Sequence, residues 1–257
     1  MKFPVSVYFD NTSFPVHGIF EFLAFFIAFR YFIYLRKNQQ DPIPSSNRIW
    51  IIIGAIFGAI IGSRLIGGLE DFDQLKNAEN KLLYLYLNKT MLGGFLGGLF
   101  GVELIKKIIH EKNSSGDLFT FPMILGLIIG RIGCFSMGVY EETYGTVTGF
   151  FTGMDLGDGK LRHPVTLYEI VFLLLLWLGL TRVEKRWKLA AGERFKLFMI
   201  AYCCFRFLLD FIKPHYTWAI GLSTIQITAV LGNAYYYFLN PFKGLNFKAP
   251  DVIKTYK

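Results

Sequence analysis

Four arginines, Arg30, Arg64, Arg131 and Arg206, stand inside stretches otherwise apolar enough to cross a membrane, and Glu21, Glu103, Glu169 and Asp210 stand in similar runs. A charge at bilayer depth costs roughly 2.5–3.5 kcal/mol even on a lenient insertion scale, so it persists where it finds a partner, an aqueous cavity or an anionic ligand. A guanidinium presents a planar fork of donors that fits a phosphate at two points. A carboxylate beside it either orients it or moves protons. Spacing groups these residues: Tyr202, Arg206, Asp210 and Lys213 follow at intervals of four, four and three, on one helix face. Arg131 and Cys134 are three apart, as are Thr166 and Glu169. Three polar faces on three helices would line a cavity inside a bundle, and its chemistry would be phosphate recognition with proton transfer alongside.

The elements that must hold these residues are legible in the apolar pattern. The chain has 257 residues, 53% hydrophobic and 18% aromatic. Its apolar residues fall in blocks of about 20, the length that spans ~30 Å of hydrocarbon. The blocks are residues 17–35, 49–68, 91–109, 118–138, 165–182, 194–212 and 222–240, with 17–35 and 194–212 the most interrupted by charge. The expected fold is an all-α membrane protein, a single transmembrane domain over 1–257 with seven transmembrane helices. The first block has no preceding basic cluster and no small-residue cleavage site, so it reads as a retained helix.

The net charge of +8 is unevenly placed. With the N-terminus outside and the C-terminus inside, sixteen Lys/Arg fall on the inner side, among them Arg36, Lys37, Arg48 and the tail lysines Lys243, Lys248, Lys254 and Lys257; seven, including Lys2, fall outside. That is the bias of inward loops. The basic excess therefore sets orientation, and nucleic acid is not an expected partner. Depth then follows. Arg64 nears the outer end of the second block, Arg131 lies in the outer half of the fourth and Glu169 near the start of the fifth. Arg206, Asp210 and Lys213 lie in the outer part of the sixth, so these charges converge on the outer leaflet. Arg30, toward the inner end of the first block, reads as snorkelling to the headgroups. Glu103 reads as a partner of Lys106 or Lys107 one turn on, and Glu21 remains a second-tier site candidate.

Two outer segments are long. Residues 69–90 carry a Leu/Tyr run around Tyr84 and Tyr86 that reads as a short interfacial helix. Residues 139–164 are rich in Gly, Thr, Asp and Tyr, with a turn at Gly157-Asp158-Gly159, and read as a small strand-containing extracytoplasmic cap. Gly54, Gly58 and Gly62, and Gly93, Gly94, Gly97, Gly98 and Gly101, have the spacing that lets membrane helices pack backbone to backbone. Gly93-Gly94 has a second reading, in which amides or space are offered to a lipid. Three cysteines without metal spacing and four scattered histidines give no metal or cofactor to expect.

Gly130-Arg131-Ile132-Gly133-Cys134-Phe135, followed by Met137-Gly138 and Tyr144-Gly145, resembles the signature of the prolipoprotein diacylglyceryl transferase family, seven-helix enzymes of the bacterial inner membrane. The resemblance extends to Gly62-Ser63-Arg64-Leu65, to His163-Pro164-Val165-Thr166-Leu167-Tyr168-Glu169, to Tyr202, Arg206, Asp210 and Lys213, and to Gln226, in family order from the second helix to the seventh. It implies a multi-pass protein of the bacterial cytoplasmic membrane. The reaction it implies moves the diacylglyceryl group of phosphatidylglycerol to the lipobox cysteine thiol in a prolipoprotein signal peptide, with glycerol phosphate leaving. Arg131 and Arg206 would hold the headgroup phosphate, and Glu169 would act beside them as an orienting or acid–base group. Arg64, Gly93, Gly94, Cys134, Gly145, Tyr202, Asp210, Lys213 and Gln226 would line the substrate site, with Glu141 or Glu142 in the place of a single family glutamate.

The chain departs from the family pattern at defined positions. The usual His-Gly-Gly reads Leu92-Gly93-Gly94, the usual asparagine after the signature arginine is Cys134, the glutamine after His-Pro is Thr166, and a sixth-helix glutamate is Asp210. The missing histidine is the family's favoured base for the thiol. Glu169 is the first choice to replace it. His163, just ahead of a helix start at Pro164, is a second candidate, against a purely local role as a capping loop residue. Two other classes compete: a non-catalytic or substrate-altered paralogue that binds lipid or lipoprotein, and a small transporter. A transporter would hold its charges near the midplane between repeated halves.

Overall fold

The computed structural model describes residues 3–9, 12–39 and 41–239. Lys2, Lys243, Lys248, Lys254 and Lys257, which entered the charge count, lie outside the described residues. An antiparallel hairpin of β1 (Ser6–Phe9) and β2 (Thr12–Pro15), with Ser6 opposite Pro15, leads directly into α1 (Val16–Asn38). Then come α2 (Ser45–Gly68), the short α3 (Phe72–Asn77) and α4 (Lys81–Leu87), α5 (Met91–Ile108) and α6 (Asp117–Met137). A 3-10 turn at Gly138–Tyr140 opens the cap, whose strands β3 (Met154–Asp155) and β4 (Leu161–Arg162) pair antiparallel. The chain ends in α7 (Val165–Arg186), α8 (Glu193–Leu209), a 3-10 turn at Asp210–Ile212, and α9 (Thr224–Ala234), which runs on as a π-turn at Tyr235–Leu239.

The protein is mostly helical, and a helix falls in each of the apolar blocks. Four of these helices, α1, α2, α7 and α6 with its following turn to Tyr140, are long and apolar enough to cross a membrane. The segment 69–90 differs from the single interfacial helix expected. Asp71 Oδ1 accepts from the Gln74 amide at 3.0 Å and Asn80 Oδ1 from the Leu83 amide at 3.0 Å, so two side-chain caps start two short helices.

Packing follows side-chain size. α2 and α5 lie backbone against backbone. A Cβ added at Gly58 would strike the Gly97 carbonyl, one at Gly62 the Gly93 carbonyl, and one at Gly54 would stand 2.8 Å from the Gly101 oxygen. α1 runs along α6. A central core gathers Leu92, Ile124, Leu173, Phe198, Met199, Tyr202, Cys203 and Ala229, all without solvent exposure. Outside it, Phe22, Phe25, Phe26 and Phe29 of α1 and Ile56, Phe57, Ile60 and Ile61 of α2 are exposed. An apolar surface of that extent is covered by lipid or by a partner. Arg30 is exposed among them, and Glu103 pairs with Lys106 at 3.4 Å.

One end of the bundle is fastened by charge. Arg48, counted from sequence among the inner-side cations, is fully buried. Its Nε donates to Asp41 Oδ2 at 3.0 Å, its Nη1 to the Ser115 carbonyl at 3.0 Å, and its Nη2 closely to Asp41 Oδ1. Arg36 adds Nε to Asp41 Oδ2 at 3.0 Å and Nη2 to Ser45 Oγ at 3.0 Å. Burial alone would raise the Asp41 carboxyl, but the Arg48 hydrogen bonds, the Ile43 amide and Arg36 hold it below the ordinary carboxylate range.

Candidate active site

At the opposite end of α6, where α7 begins and α8 finishes, three helices bring their polar faces together. Glu169, 2% exposed, is the centre. Arg131 Nε lies 2.8 Å from its Oε2, Arg206 Nη1 donates to the same oxygen at 3.3 Å, and the Tyr202 hydroxyl donates to Oε1 at 2.7 Å. Arg206 therefore takes its partner from α7 and not from Asp210 one turn along its own helix. Two buried guanidiniums share one carboxylate, which leaves one positive charge in surplus. Their donors are also incompletely used. Arg131 Nη1 reaches only Cys134 Sγ at 3.7 Å and Nη2 only Met91 Sδ at 3.6 Å, both weak acceptors, and Arg206 Nε has no hydrogen-bond partner among the described residues. A buried positive centre with unspent donors has the charge and the hydrogen-bond capacity to take an anion.

Asp210 belongs to an adjoining layer. It accepts closely from Ser223 Oγ and lies 3.8 Å from His215 Nδ1. Ser223 and Gln226 form a capping box at the start of α9, and Gln226, 1% exposed, keeps its Nε2 unpartnered among the described residues. Lys213 is half-buried; burial lowers its pKa, Arg206 adds to the effect and Glu70 opposes it. Burial raises the Glu70 carboxyl against the pull of Lys213 and Arg206. Glu70 is thus close enough to Lys213 and Arg206 to feel both charges, and sequence reasoning did not single it out.

The remaining expected residues divide. Arg64 sits over the Tyr86 ring, 4.9 Å from its centre, and no ion pair joins it to the Glu169 cluster among the described residues. Gly93 is taken up by helix packing, since a Cβ there would be 2.5 Å from the Gly62 carbonyl and 2.7 Å from Ile66; Gly94 has ordinary spacing of 3.7 Å to Ala59 and Ser63. Leu92 is sealed in the hydrophobic core. Gly145 is buried where the cap meets the bundle, its amide donating to the His163 carbonyl at 3.0 Å and that of Thr146 to the Ile212 carbonyl at 2.8 Å. His163 Nδ1 is 3.1 Å from the Tyr168 hydroxyl, the local role weighed for it.

Of the two glutamates, Glu142 is exposed while Glu141 turns inward. Glu141 Oε1 is 3.9 Å from Cys134 Sγ, and its Oε2 is 3.3 Å from His17 Nδ1. His17 went unnoticed in the sequence because α1 reaches this site only by packing along α6; the single signal was its position one turn before Glu21. The donor atoms of His17, Cys134 and Glu141 lie within 4.8 Å of one another. Arg131 stands at 3.7 Å from that sulfur, a fixed positive charge against any cation, so the trio reads as a polar wall and not as a metal centre.

A family model described as prolipoprotein diacylglyceryl transferase matches residues 4–239. The chain belongs to that family. Proteins named phosphatidylglycerol–prolipoprotein diacylglyceryl transferase resemble it along most of their length. The one from Campylobacter hominis is 27% identical over 256 residues, covering 88% of each chain. That from Wolbachia pipientis of Culex pipiens is 31% identical over 240 residues, 88% of this chain and 84% of the relative. That from Bordetella bronchiseptica is 32% identical over 207 residues, 73% and 75% of the two chains. In this chain, the signature segment around Arg131 supplies one side of the Glu169 cluster and α8 the other.

Proposed function

We propose that this chain transfers the diacylglyceryl group of phosphatidylglycerol to the lipobox cysteine thiol of prolipoproteins. The observation that carries the reading is the pair Arg131 and Arg206 on one buried carboxylate, with a positive surplus and free donors. The phosphodiester of the headgroup takes the unspent nitrogens. The thiolate attacks the glyceryl carbon, an S–C bond forms, and the C–O bond to phosphate breaks with its electron pair on the departing glycerol phosphate. Extra negative charge appears on that phosphate as the bond breaks, where the arginines already point, and preorganised charge of this kind lowers the barrier. Glu169 has both oxygens committed to Arg131, Arg206 and Tyr202, so its part is to fix the guanidiniums, and the earlier choice of Glu169 as thiol base loses its support.

The same reading has seven helices crossing the bacterial cytoplasmic membrane, the N-terminus outside and the site in the outer half of the bilayer. Four long apolar helices and the exposed phenylalanines of α1 support the membrane setting. Gly145, between the cap and the end of α8, would shape the approach of the signal peptide. A second reading, a member that binds lipid without transferring it, has one observation in its favour: the core leucine Leu92. Purified protein in phosphatidylglycerol vesicles with a lipobox peptide is expected to yield thioether-linked peptide and free glycerol phosphate. Arg131→Ala is expected to lose about 100- to 1000-fold in rate, and transfer at the parental rate by that variant would sink the mechanism.

A further inference from the structure

Resting on that transfer reaction, we propose that His17, beside Glu141, is the base that takes the proton of the incoming thiol. Other candidates are spent. Leu92 has no ionisable group, Glu169 is saturated by two guanidiniums and a phenol, and His163 is tied to Tyr168. His215 directs Nδ1 at the Lys213 carbonyl, 2.7 Å away, and His110 follows α5 at the other end of the bundle.

His17 alone among the histidines opens onto the wall that carries Arg131. Its side chain is 21% exposed and that of Glu141 26%, so a substrate atom can reach them. Nδ1 lies 3.3 Å from Glu141 Oε2 but out of line for a hydrogen bond, and both atoms are without a hydrogen-bond partner among the described residues; Nε2 lies 3.9 Å from the exposed Glu21. A neutral imidazole carries its proton on one nitrogen and accepts at the other, and neither nitrogen of His17 is taken up by a hydrogen bond among the described residues. Gly133 of the signature segment makes the approach feasible: a Cβ there would stand 3.4 Å from Nδ1 and 2.8 Å from Phe20. The charged and titratable neighbours are Glu21 from α1 with Lys89 beyond it at 3.6 Å, Cys134 and Arg131 from α6, and Glu141 from the turn after α6.

In the step, the thiol S–H bond breaks and its proton passes to the open ring nitrogen of His17. The sulfur pair forms the S–C bond, and the C–O pair leaves with glycerol phosphate. The proton on His17 is then released to that phosphate or to water.

The test measures kcat/KM for peptide in phosphatidylglycerol vesicles across pH for the parent, His17→Ala, His17→Asn and Glu141→Gln, with and without added imidazole. His17→Ala and His17→Asn are expected to fall by about 100-fold or more; Asn keeps a donor near Glu141, so a merely structural role would survive that change. Imidazole is expected to restore part of the His17→Ala rate, the acid limb of the parental profile to vanish in both variants, phosphatidylglycerol binding to persist, and Glu141→Gln to show a smaller loss. Parental kcat/KM in His17→Asn overturns the inference and leaves the transfer reaction standing. Loss without imidazole rescue and with an unchanged pH profile overturns it too, as does parental activity abolished by chelator and restored by zinc. A parent that binds phosphatidylglycerol but transfers nothing overturns the function itself and this inference with it.

Discussion

Two arginine pairs, at opposite ends of the bundle, each close on a single carboxylate: Arg36 and Arg48 on Asp41, Arg131 and Arg206 on Glu169. The residue types are the same, yet the donors are spent differently. Arg48 uses Nε, Nη1 and Nη2 on Asp41 and the Ser115 carbonyl, and Arg36 adds Ser45. Arg131 turns both Nη atoms to sulfur, and Arg206 Nε has no partner among the described residues. The first pair is a fastening whose hydrogen bonds are complete. The second has donors left over, and that difference separates the two pairs more surely than charge, which they share.

The contrast can be broken from either side. The largest effect is expected at the fastening: Asp41→Asn leaves the buried Arg48 without a counterion and should cost about 3–5 kcal/mol, read from unfolding in detergent, with kcat/KM unchanged in the folded fraction. Its pH dependence follows from the depressed carboxyl. Between the lowered folded value and the unfolded 3.8, the unfolded chain holds more protons, so stability rises with pH there. The contribution is complete above the unfolded value and disappears as pH falls through the folded one; Asp41→Asn should lack that acid loss. At the site the expectation reverses. Arg206→Ala should lose about 100- to 1000-fold in transfer, roughly 2.7–4 kcal/mol of barrier, with the larger change in rate and the smaller in unfolding midpoint.

Smaller effects sharpen the same line. Gly97→Leu would drive a side chain into the Gly58 carbonyl and should cost about 1–3 kcal/mol in stability through α2 and α5, while Gly94→Ala, with its 3.7 Å clearances, should be tolerated. Tyr202→Phe removes one donor from Glu169 and should slow transfer by about tenfold, the equivalent of ~1.4 kcal/mol, near the low end for a hydrogen bond to a charged group. A Tyr202→Phe enzyme as slow as Arg206→Ala would mean that the phenol touches substrate and does not merely hold Glu169.

The sequence exposed what spacing along one helix can reveal. The apolar blocks, the shared face of Tyr202 and Arg206, and the small-residue seam of α2 and α5 were all legible, because each depends on local periodicity. What it concealed depends on which helix lies next to which. Arg206 had Asp210 one turn away in sequence, but its partner Glu169 comes from α7. Arg48 looked like an inward loop charge and is buried on Asp41. Glu141 and Glu142 are adjacent, so a shift of one residue decides which faces Cys134, and only the path of the turn after α6 selects Glu141. His17 acquires its neighbours from the α1–α6 seam alone. Charges inside apolar runs pointed to Arg131, Glu169 and Arg206 before any motif did, and the family motif agreed on them, but at Leu92 it pointed to a residue that cannot do the family's chemistry.

The N-terminal hairpin bears on how that seam can move. The Val5 amide donates to the Ser136 carbonyl near the end of α6 at 2.8 Å, and the Val5 carbonyl accepts from the Val16 amide at the head of α1 at 3.1 Å. One residue is thereby a hinge pin between two helices. A slide of α1 by a single residue, ~1.5 Å along its axis, shears both bonds, whereas a tilt about Val5 keeps them. The far ends of α1 and α6 meet in the core, where the Phe32 and Phe119 rings stack 4.3 Å apart, so His17 keeps its place beside Cys134.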